Sequence, residues 1–384
     1  MESTRIYLDN AATSWPKPPA VYDAVDAYQR NNGAAAGRGV YRSAQDSERI
    51  VAQCRQRVAA LVGAKAAEQI VFTLNGTDSL NLALHGLLKP GDHVVTSVCE
   101  HNSVLRPLRF LEEQIGLSFD VVECDGQGFI NPDDIHRAIK PNSRLIALTH
   151  ASNVTGAIQP VAAVGKIAAE KNVLFLVDAA QSLGHFPIDV NELGCHLLAA
   201  PGHKGLLGPL GTGILYLAPG TEKQLSPIRQ GGTGTRSDDD RQPETMPDRY
   251  ESGNLNVAGI AGLNAGLKWV AEQSLAQLAA HERELTEQLL SGLSENQAVT
   301  IYGPRSSENR LGVVSFNVAG FDPQEVAAGL DAVAGIEVRS GLQCSPRMHT
   351  ALGTSPSGTV RASIGPFNTA EDINSLIEAL REMS

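Results

Sequence analysis

The sequence predicts an α/β fold, with a large domain on a mainly parallel sheet followed by a smaller C-terminal α/β domain. Short apolar, β-rich runs alternate with helix-like stretches from about residue 70 to 217. A region rich in Gly, Asp, Pro and Arg follows at 229–256, and a second, shorter α/β series comes after it. Strands separated by helices favour parallel pairing, because the crossover helix returns the chain to the edge where the previous strand began.

The predicted elements of the first region follow in a regular order. Six runs rich in apolar and β-branched residues are predicted strands: 70–73, 94–96, 119–122, 145–148, 173–177 and 213–216. Four stretches with helical character lie between them: 79–88, 104–113, 132–139 and 161–171. This alternation is typical of a mainly parallel sheet whose two faces are covered by helices.

A long loop separates the two regions. Residues 229–256 contain the run GGTGT at 231–235 and DDD at 238–240, and they show no periodicity. Beyond the loop we expect a helical stretch at 257–293, strands near 313–317, 336–339 and 359–364, and a closing helix at 370–383. We therefore predict a large domain of residues 12–256 and a small domain of residues 257–384, which the N-terminal residues 1–11 join.

Composition narrows the classes of function. The chain has 384 residues, 42% of them hydrophobic, which is enough for two cores. Its 31 Lys and Arg stand against 42 Asp and Glu, a net charge of −11, so we expect no nucleic-acid partner. With no basic-then-apolar start and no apolar run of membrane length, we expect no membrane contact and a cytoplasmic location. Five widely spaced cysteines without a C-x-x-C pair disfavour disulfides and a metal site.

One lysine lies in a glycine-rich segment directly before a predicted strand. Lys204 belongs to the run AAPGHKGLLGPLGTG at 199–213. Glycines let a backbone come close to a ligand, and a lysine in a desolvated pocket loses its charge and becomes a nucleophile for a carbonyl. The alternative interpretation is a surface loop with a solvated lysine.

Three other segments place polar groups at the ends of predicted strands. Asp178 ends an apolar strand, where α/β sheets position ligand groups, although it could instead cap a helix. Gly76 and Thr77 lie in a strand-to-helix turn suited to a phosphate, although an ordinary capped turn has the same composition. His101 follows another strand and could stack on a planar ring or move protons, although an isolated histidine is often structural.

The order of these segments resembles the pyridoxal-phosphate (PLP) enzymes of aminotransferase class V, and more closely the cysteine desulfurase and selenocysteine lyase branch. Matching stretches cover nearly the whole chain: YLDNAAT at 7–13, NGTD at 75–78, EH at 100–101, SNVTG at 152–156, VDAAQS at 177–182, GHK at 202–204, GLQC at 341–344 and VRAS at 360–363. The resemblance implies PLP fold type I, with PLP bound by the large domain.

The resemblance also implies a role for each matched residue. Lys204 would carry PLP as a Schiff base and act as the catalytic base. The other cofactor contacts would be Asp178 at the pyridine nitrogen, Gln181 at the ring hydroxyl, His101 over the ring, and Gly76, Thr77 and His203 at the phosphate. Asn153 would lie by the substrate, and Arg361 would bind its carboxylate. Asn254 stands where a threonine of a partner subunit usually reaches the phosphate, which implies a homodimer.

Cys344 lies in a segment punctuated by Gly and Pro, 339–347, with Arg339 and Arg347 nearby. Positive charge favours a thiolate, and the composition predicts a mobile loop. Together with the resemblance, this predicts that Cys344 attacks the sulfur of L-cysteine and leaves L-alanine and a persulfide. Selenocysteine fits the same route, and an acceptor protein would take the sulfur.

Two residues depart from the pattern of the desulfurases. Pro201 stands where a hydroxyl residue is common, and Gln343 stands where a histidine is common. Pro201 removes one donor from the predicted phosphate site, so the site must be completed differently. Another class V reaction, such as transamination or a different C–S lyase step, is therefore an alternative, and a PLP-binding protein without activity is a third hypothesis.

Overall fold

A computed structural model describes residues 5–37, 39–235 and 238–383 of the chain. The strands of this part are β1 (Ile6–Tyr7), β2 (Ile70–Thr73), β3 (His93–Ser97), β4 (Ser118–Val122), β5 (Ser143–Thr149), β6 (Leu174–Asp178), β7 (Leu197–Pro201), β8 (Gly213–Leu217), β9 (Val299–Tyr302), β10 (Val313–Val318), β11 (Ile336–Glu337), β12 (Arg339–Gly341) and β13 (Thr359–Ser363). The α-helices are α1 (Pro19–Asn31), α2 (Arg42–Val62), α3 (Gly76–Leu87), α4 (Asn102–Ile115), α5 (Pro132–Ala138), α6 (Val161–Lys171), α7 (Val190–Leu193), α8 (Val257–Gln273), α9 (Leu275–Ser294), α10 (Pro323–Ala334), α11 (Pro346–Ala351) and α12 (Ala370–Glu382).

The largest sheet has seven strands in the order β2-β8-β7-β6-β5-β3-β4. All neighbours from β7 to β4 are parallel, and β8 is antiparallel to both β7 and β2. This arrangement confirms the predicted α/β fold with a large, mainly parallel sheet. The apolar run of β7, which the sequence analysis did not identify as a strand, completes the sheet directly before Lys204.

Both faces of the large sheet are buried. Along β6, Phe175 and Val177 belong to the core on one face, and Leu174 and Leu176 belong to the core on the other. Successive side chains of a strand point to opposite faces, so an entirely apolar strand is the pattern of a sheet covered on both sides. A ligand can therefore reach this sheet only at the ends of its strands.

A smaller antiparallel sheet, in the order β12-β13-β10-β9, forms the other α/β part. Its core contains Phe316 and Val360 from the strands, Ile373 from α12 and Leu8 from the N-terminal segment. The short strands β1 and β11 pair in parallel beside it. The N-terminal segment thus contributes to the core of the C-terminal part.

The helical stretch predicted at 257–293 is two helices, which is a correction to the sequence analysis. They meet at Ser274, whose φ of 66° is outside the helical region. Ile260 of α8 packs into a core of the large sheet, whereas Leu289 of α9 packs into the core of the small sheet. Because the two helices serve different cores, the chain turns between them. The domain boundary at 256/257 stays a prediction, and the packing of α8 favours a later boundary, between α8 and α9.

The strand predicted at 336–339 is also divided, into β11 and β12 of different sheets. Among the helices of the described ranges, none combines the length and the apolar character needed to cross a bilayer.

Candidate active site

Eight of the predicted site residues meet in one cavity of about 300 Å³, at the carboxyl ends of the central strands. They are Gly76, Thr77, His101, Asn153, Asp178, Gln181, His203 and Lys204. The carboxyl edge is where open α/β sheets bind their ligands, since the strand-to-helix connections diverge there. The structure thus brings together residues that are up to 128 positions apart (204 − 76).

Lys204 lines the cavity from the connection between β7 and β8. Burial lowers the pKa of its amine to about 8; the negative charge of Asp178 opposes this shift, and the positive charge of Arg361 adds to it. A substantial fraction of the amine is then neutral near physiological pH, which is the form that attacks carbonyl groups. The lysine lines a ligand-sized cavity, in contrast to the alternative of a solvated surface loop.

The N-terminal segment holds the backbone of Lys204. The carbonyl of His203 accepts hydrogen bonds from Ser14 N at 3.1 Å and from Lys17 Nζ at 2.7 Å. Ser14 Oγ also lies 3.0 Å from the carbonyl oxygen of Lys204. Burial lowers the pKa of Lys17 to about 8. This contact is not predictable from the sequence, because nothing local in residues 13–17 indicates a partner 190 positions away.

Asp178 ends β6 and is 4% exposed. Its Oδ1 accepts a hydrogen bond from Ala180 N at 2.9 Å within a turn, and its side chain lines the cavity. Within the described residues no helix begins there, so the alternative that Asp178 caps a helix is wrong. Burial raises the pKa of this carboxyl, although the Ala180 N–H and the charge of Lys204 counteract the rise. A cation in the cavity would therefore be well matched to Asp178.

His101 serves two structural elements at once. It is the N-cap of α4, where Nδ1 accepts a hydrogen bond from Ser103 N at 3.0 Å, and its ring lines the cavity. Burial first, and then the charge of Lys204, lowers the pKa of the ring to about 4. The neutral ring carries its hydrogen on Nε2, because Nδ1 accepts. The structural and functional interpretations of His101 are thus compatible.

One end of the cavity is suited to an anion. Helix α3 begins at Gly76, and its first N–H groups have no carbonyl partner in a preceding turn. His203 Nδ1 is buried and has no hydrogen-bond partner among the described residues. Ser103, which the sequence analysis did not single out, lines the same end, and its Oγ lies 2.7 Å from Thr77 Oγ1.

Pro201 packs against the start of α3 in this region. A Cβ on Gly76 would lie 3.1 Å from Pro201 Cδ, so the proline ring packs closely against the glycine that begins α3. Gln181 also lines the cavity, with Nε2 donating to the Ala11 carbonyl at 3.0 Å. The anion donors remaining here are the helix start, Thr77, Ser103 and His203.

Arg361 lies in β13 beside the cavity residue Asn153 and is 2% exposed. Its Nη2 pairs with Asp9 Oδ1 at 2.6 Å, and its Nη1 donates to the Asn153 carbonyl at 3.0 Å. Its Nε is buried with no hydrogen-bond partner in the described ranges. Buried guanidinium donors are rarely left unpaired, so this nitrogen marks a place for an acceptor such as a carboxylate.

Cys344 faces an open groove that His101 and Thr77 also line, directly beside the cavity. Its Sγ lies 3.8 Å from Arg339 Nη2, so a guanidinium N–H can donate to the sulfur. The backbone of the loop is held as well, since Asn102 N donates to the Cys344 carbonyl at 2.8 Å.

Asn153 connects the cavity to the Cys344 loop. Its Nδ2 donates to the Gln343 carbonyl at 2.6 Å, and its Oδ1 accepts from Ser345 Oγ at 2.7 Å. Both ends of this amide therefore hold the residues on either side of Cys344. A contact between Asn153 and a substrate stays a prediction.

Asn254 lies apart from the other predicted residues. It lines a neighbouring cavity of about 170 Å³ together with Asp78 and Arg229, which form an ion pair at 2.7 Å. Its contact with a phosphate across a subunit interface stays a prediction. Within the described ranges, no cluster of three or more His, Cys, Asp or Glu side chains is arranged to hold a metal ion.

Curated proteins similar to this chain share its full length. The family model of the class-V aminotransferases matches residues 6–376. A probable cysteine desulfurase of Methanothermobacter thermautotrophicus is 39% identical, covering 99% of this chain and 94% of its own length. A cysteine desulfurase of Escherichia coli O157:H7 is 33% identical, covering 98% of this chain and 93% of its own length.

Solved structures are similar over the same extent. The apo structure of a cysteine desulfurase from Thermococcus onnurineus NA1 has a TM-score of 0.93 at 38% identity, covering 99% of this chain and 94% of that one. A cysteine desulfurase from Escherichia coli, with an S-sulfonic acid, has a TM-score of 0.88 at 30% identity, covering 98% and 94%. The expectation of fold type I is confirmed. The chain belongs to the class-V aminotransferase family and, within it, to the cysteine desulfurases.

Proposed function

We propose that this protein is a PLP-dependent cysteine desulfurase, which converts L-cysteine and a thiol of Cys344 into L-alanine and a Cys344 persulfide. One observation carries the proposal: Asn153 joins the cavity, the guanidinium of Arg361 and the loop of Cys344 through direct hydrogen bonds. A nucleophilic thiol beside a carboxylate-binding guanidinium and a nucleophilic lysine is the set that this reaction needs. The names of the full-length relatives support it.

The cavity fits the cofactor that the class-V family uses in general. Lys204 would hold the aldehyde carbon, Asp178 the pyridine nitrogen and Gln181 the ring hydroxyl, with His101 over the ring. The start of α3, Thr77 and His203 would hold the phosphate, and the unpartnered His203 Nδ1 is an observation in favour of an anion there. When bound, PLP would act as the electron sink that labilises the substrate.

The residues of the chain would divide the remaining work. The free Nε of Arg361 would donate to the substrate carboxylate and so fix which substrate bond faces the cofactor. The Lys204 amine, whose pKa burial lowers to about 8, would move the α-proton as a general base. His101 could donate from Nε2, since its Nδ1 is occupied by Ser103 N.

Cys344 would complete the reaction. Its thiolate, beside Arg339, forms a bond to the substrate sulfur while the bond between that sulfur and Cβ breaks. The electron pair of the broken bond stays with the carbon skeleton, which takes up protons and leaves as alanine. The reaction is balanced without an external oxidant or reductant, and selenocysteine would follow the same route.

Assembly and sulfur delivery are part of the same proposal. A homodimer would bring the partner's Asn254 to the phosphate site, and an acceptor protein would take the sulfur from the Cys344 persulfide through the open groove that Cys344 lines.

The direct test is product analysis with purified holoenzyme. We expect alanine from cysteine, an equal amount of persulfide in a single turnover, and sulfide when a thiol reductant is added. Selenocysteine in a parallel reaction measures the chalcogen preference. Release of neither alanine nor sulfide from cysteine, together with no alanine from selenocysteine, would reject the proposal. Keto-acid formation without a persulfide would instead favour transamination.

A further inference from the structure

The side chain that precedes Cys344 points into the protein and away from the cavity. Gln343 is 3% exposed, and its Nε2 donates to the Thr359 carbonyl at 2.8 Å. Its Oε1 lies 2.7 Å from His349 Nε2. Both polar ends of the buried amide are therefore satisfied, which is how buried amides contribute to a fixed conformation.

His349 is fully buried in α11 and uses both ring nitrogens. Nδ1 lies 2.8 Å from Thr354 Oγ1, and Nε2 bonds to Gln343. The amide oxygen of Gln343 can only accept, so the ring carries its hydrogen on Nε2 and accepts from the Thr354 hydroxyl at Nδ1. Burial lowers the pKa of this ring to about 4, which keeps it in that neutral form.

The backbone of the loop explains why such an anchor is needed. Gln343 and Cys344 both have left-handed φ values, 41° and 62°. Residues with a Cβ adopt this region rarely, and they keep it where the surroundings fix it. Asn102 and Asn153 hold the two carbonyls of this turn, and the Gln343 side chain is the third attachment.

We propose that His349 is a positioning residue for Cys344, which acts by holding the Gln343 amide and thereby the left-handed turn that presents the thiol. Gln343, which departs from the histidine common at this position, thus has a role that depends on the buried ring of His349. The proposal deepens the proposed function and rests on it for the identity of the reaction. The mobility predicted for this loop stays a prediction.

Two amide substitutions separate the two nitrogens of His349. The side-chain nitrogen of glutamine can take the place of Nε2, and that of asparagine can take only the place of Nδ1. His349→Gln therefore keeps a donor for Gln343, whereas His349→Asn loses it and keeps only the side facing Thr354. Gln343→Ala removes the same Gln343–His349 hydrogen bond by changing the other residue, and it changes no residue of α11. Thr350→Ala, an exposed change in the same helix, is the matched control.

The measurements follow Cys344 in the holoenzyme. The first is the rate at which iodoacetamide alkylates Cys344 as a function of pH, read from the mass of its peptide. The second compares, after rapid mixing with cysteine, the rate of the cofactor absorbance change with the rate of persulfide formation. We expect His349→Asn and Gln343→Ala to slow persulfide formation about 10- to 100-fold and to leave the absorbance change and KM near those of the parent. His349→Gln and Thr350→Ala stay close to the parent in both.

Two results would overturn the proposal. One is an unchanged persulfide rate and alkylation profile in both His349→Asn and Gln343→Ala. The other is a parallel loss of persulfide formation, absorbance change and cofactor content, which would show a merely structural role. If His349→Asn does not fold, Gln343→Ala decides alone. A parent enzyme that makes no alanine would reject the proposed function, while the alkylation comparison would still report whether His349 positions the thiol.

Discussion

Two parts of the site, the cavity wall that contains Asp178 and Lys204 and the loop that contains Cys344, are held in place by different kinds of interaction. Asp178 ends the fully buried strand β6 of a seven-stranded sheet, so backbone pairing fixes its position. Lys204 follows the end of the buried strand β7 by three residues, and hydrogen bonds from Ser14 and Lys17 hold the adjoining backbone. Cys344 stands in a turn of two left-handed residues whose position depends on side-chain hydrogen bonds from Asn153 and His349. Backbone pairing tolerates most single substitutions, whereas a turn held by a few side chains does not. The lesson is that cofactor chemistry and sulfur transfer should be separable by mutation.

Lys204→Ala should have the largest effect on activity, because it removes the nucleophilic amine of the cavity wall. Without the amine, both cofactor attachment and proton transfer are lost, so we expect alanine formation to fall at least about 10⁴-fold. Absorbance of the dialysed protein and alanine analysis measure the two losses. Lys171→Ala, an exposed lysine at the end of α6, is the control. Turnover by Lys204→Ala near the parent rate would contradict the assignment.

Cys344→Ala should abolish sulfur transfer by the loop and leave cofactor binding by the cavity wall unchanged. We expect the cofactor spectrum and its response to cysteine to persist, while alanine and persulfide formation fall at least about 10³-fold. Cys124→Ala, which removes a half-buried cysteine outside the proposed machinery, should keep its activity. If Cys344→Ala still turned over at the parent rate, the alternative of another class V reaction would gain support.

Arg361→Gln tests the residue that stands between the two regions. The substitution removes the guanidinium, whose Nε has no partner among the described residues, and leaves Asp9 without its ion pair. We expect kcat/KM to fall about 100-fold with most of the change in KM, and cofactor binding to stay unchanged. Asp9→Asn, which keeps an acceptor for Arg361 but no charge, should have a smaller effect. An unchanged KM would remove Arg361 from the substrate site.

The smallest expected effect is the pH dependence of cofactor uptake, which tests the pKa of Lys204 in the cavity wall. The pKa of Lys204 in the structure, about 8, is below its ordinary value of 10.5, so the reactive neutral amine is abundant above pH 8 and scarce below it. The rate at which apo-protein takes up PLP should rise about tenfold per pH unit below this pKa and level off above it. Stopped-flow absorbance measures the rate.

Asp178→Asn checks the cause of that midpoint. The charge of Asp178 raises the pKa of Lys204, so its removal should move the midpoint to lower pH. A midpoint near 10.5 in the parent protein would contradict the lowered pKa of Lys204. A shift to higher pH in Asp178→Asn would contradict the effect of the Asp178 charge on that pKa.

The sequence was most informative where local pattern and structure coincide. The strands at 70–73 and 213–216, the helix at 161–171 and the site residues at strand ends were predictable, because apolar runs and their ends are local features. The division of 257–293 at Ser274 was not predictable, since it depends on which core each helix packs against. Membership in the family was evident from ordered motifs, each of them short.

The supports of the site were largely beyond local patterns. His349 bonds to Gln343 only because α11 folds back under the loop, and Lys17 reaches His203 across 186 positions. Asp9 was part of a matched motif, but its pairing with Arg361 requires that β13 lie beside the N-terminal segment. Such partners are set by three-dimensional packing, which no spacing of residues encodes.

The ion pair between Asp9 and Arg361 joins residues 352 positions apart. During synthesis, Asp9 can pair with Arg361 only after β13 has left the ribosome, whereas the contacts of Ser14 and Lys17 with His203 and Lys204 do not require β13. All strands of the seven-stranded sheet, together with Asp178 and Lys204, precede β13 and Arg361 in the chain. The ion pair that orients the Arg361 guanidinium is therefore among the last contacts of the site that the order of synthesis allows to form.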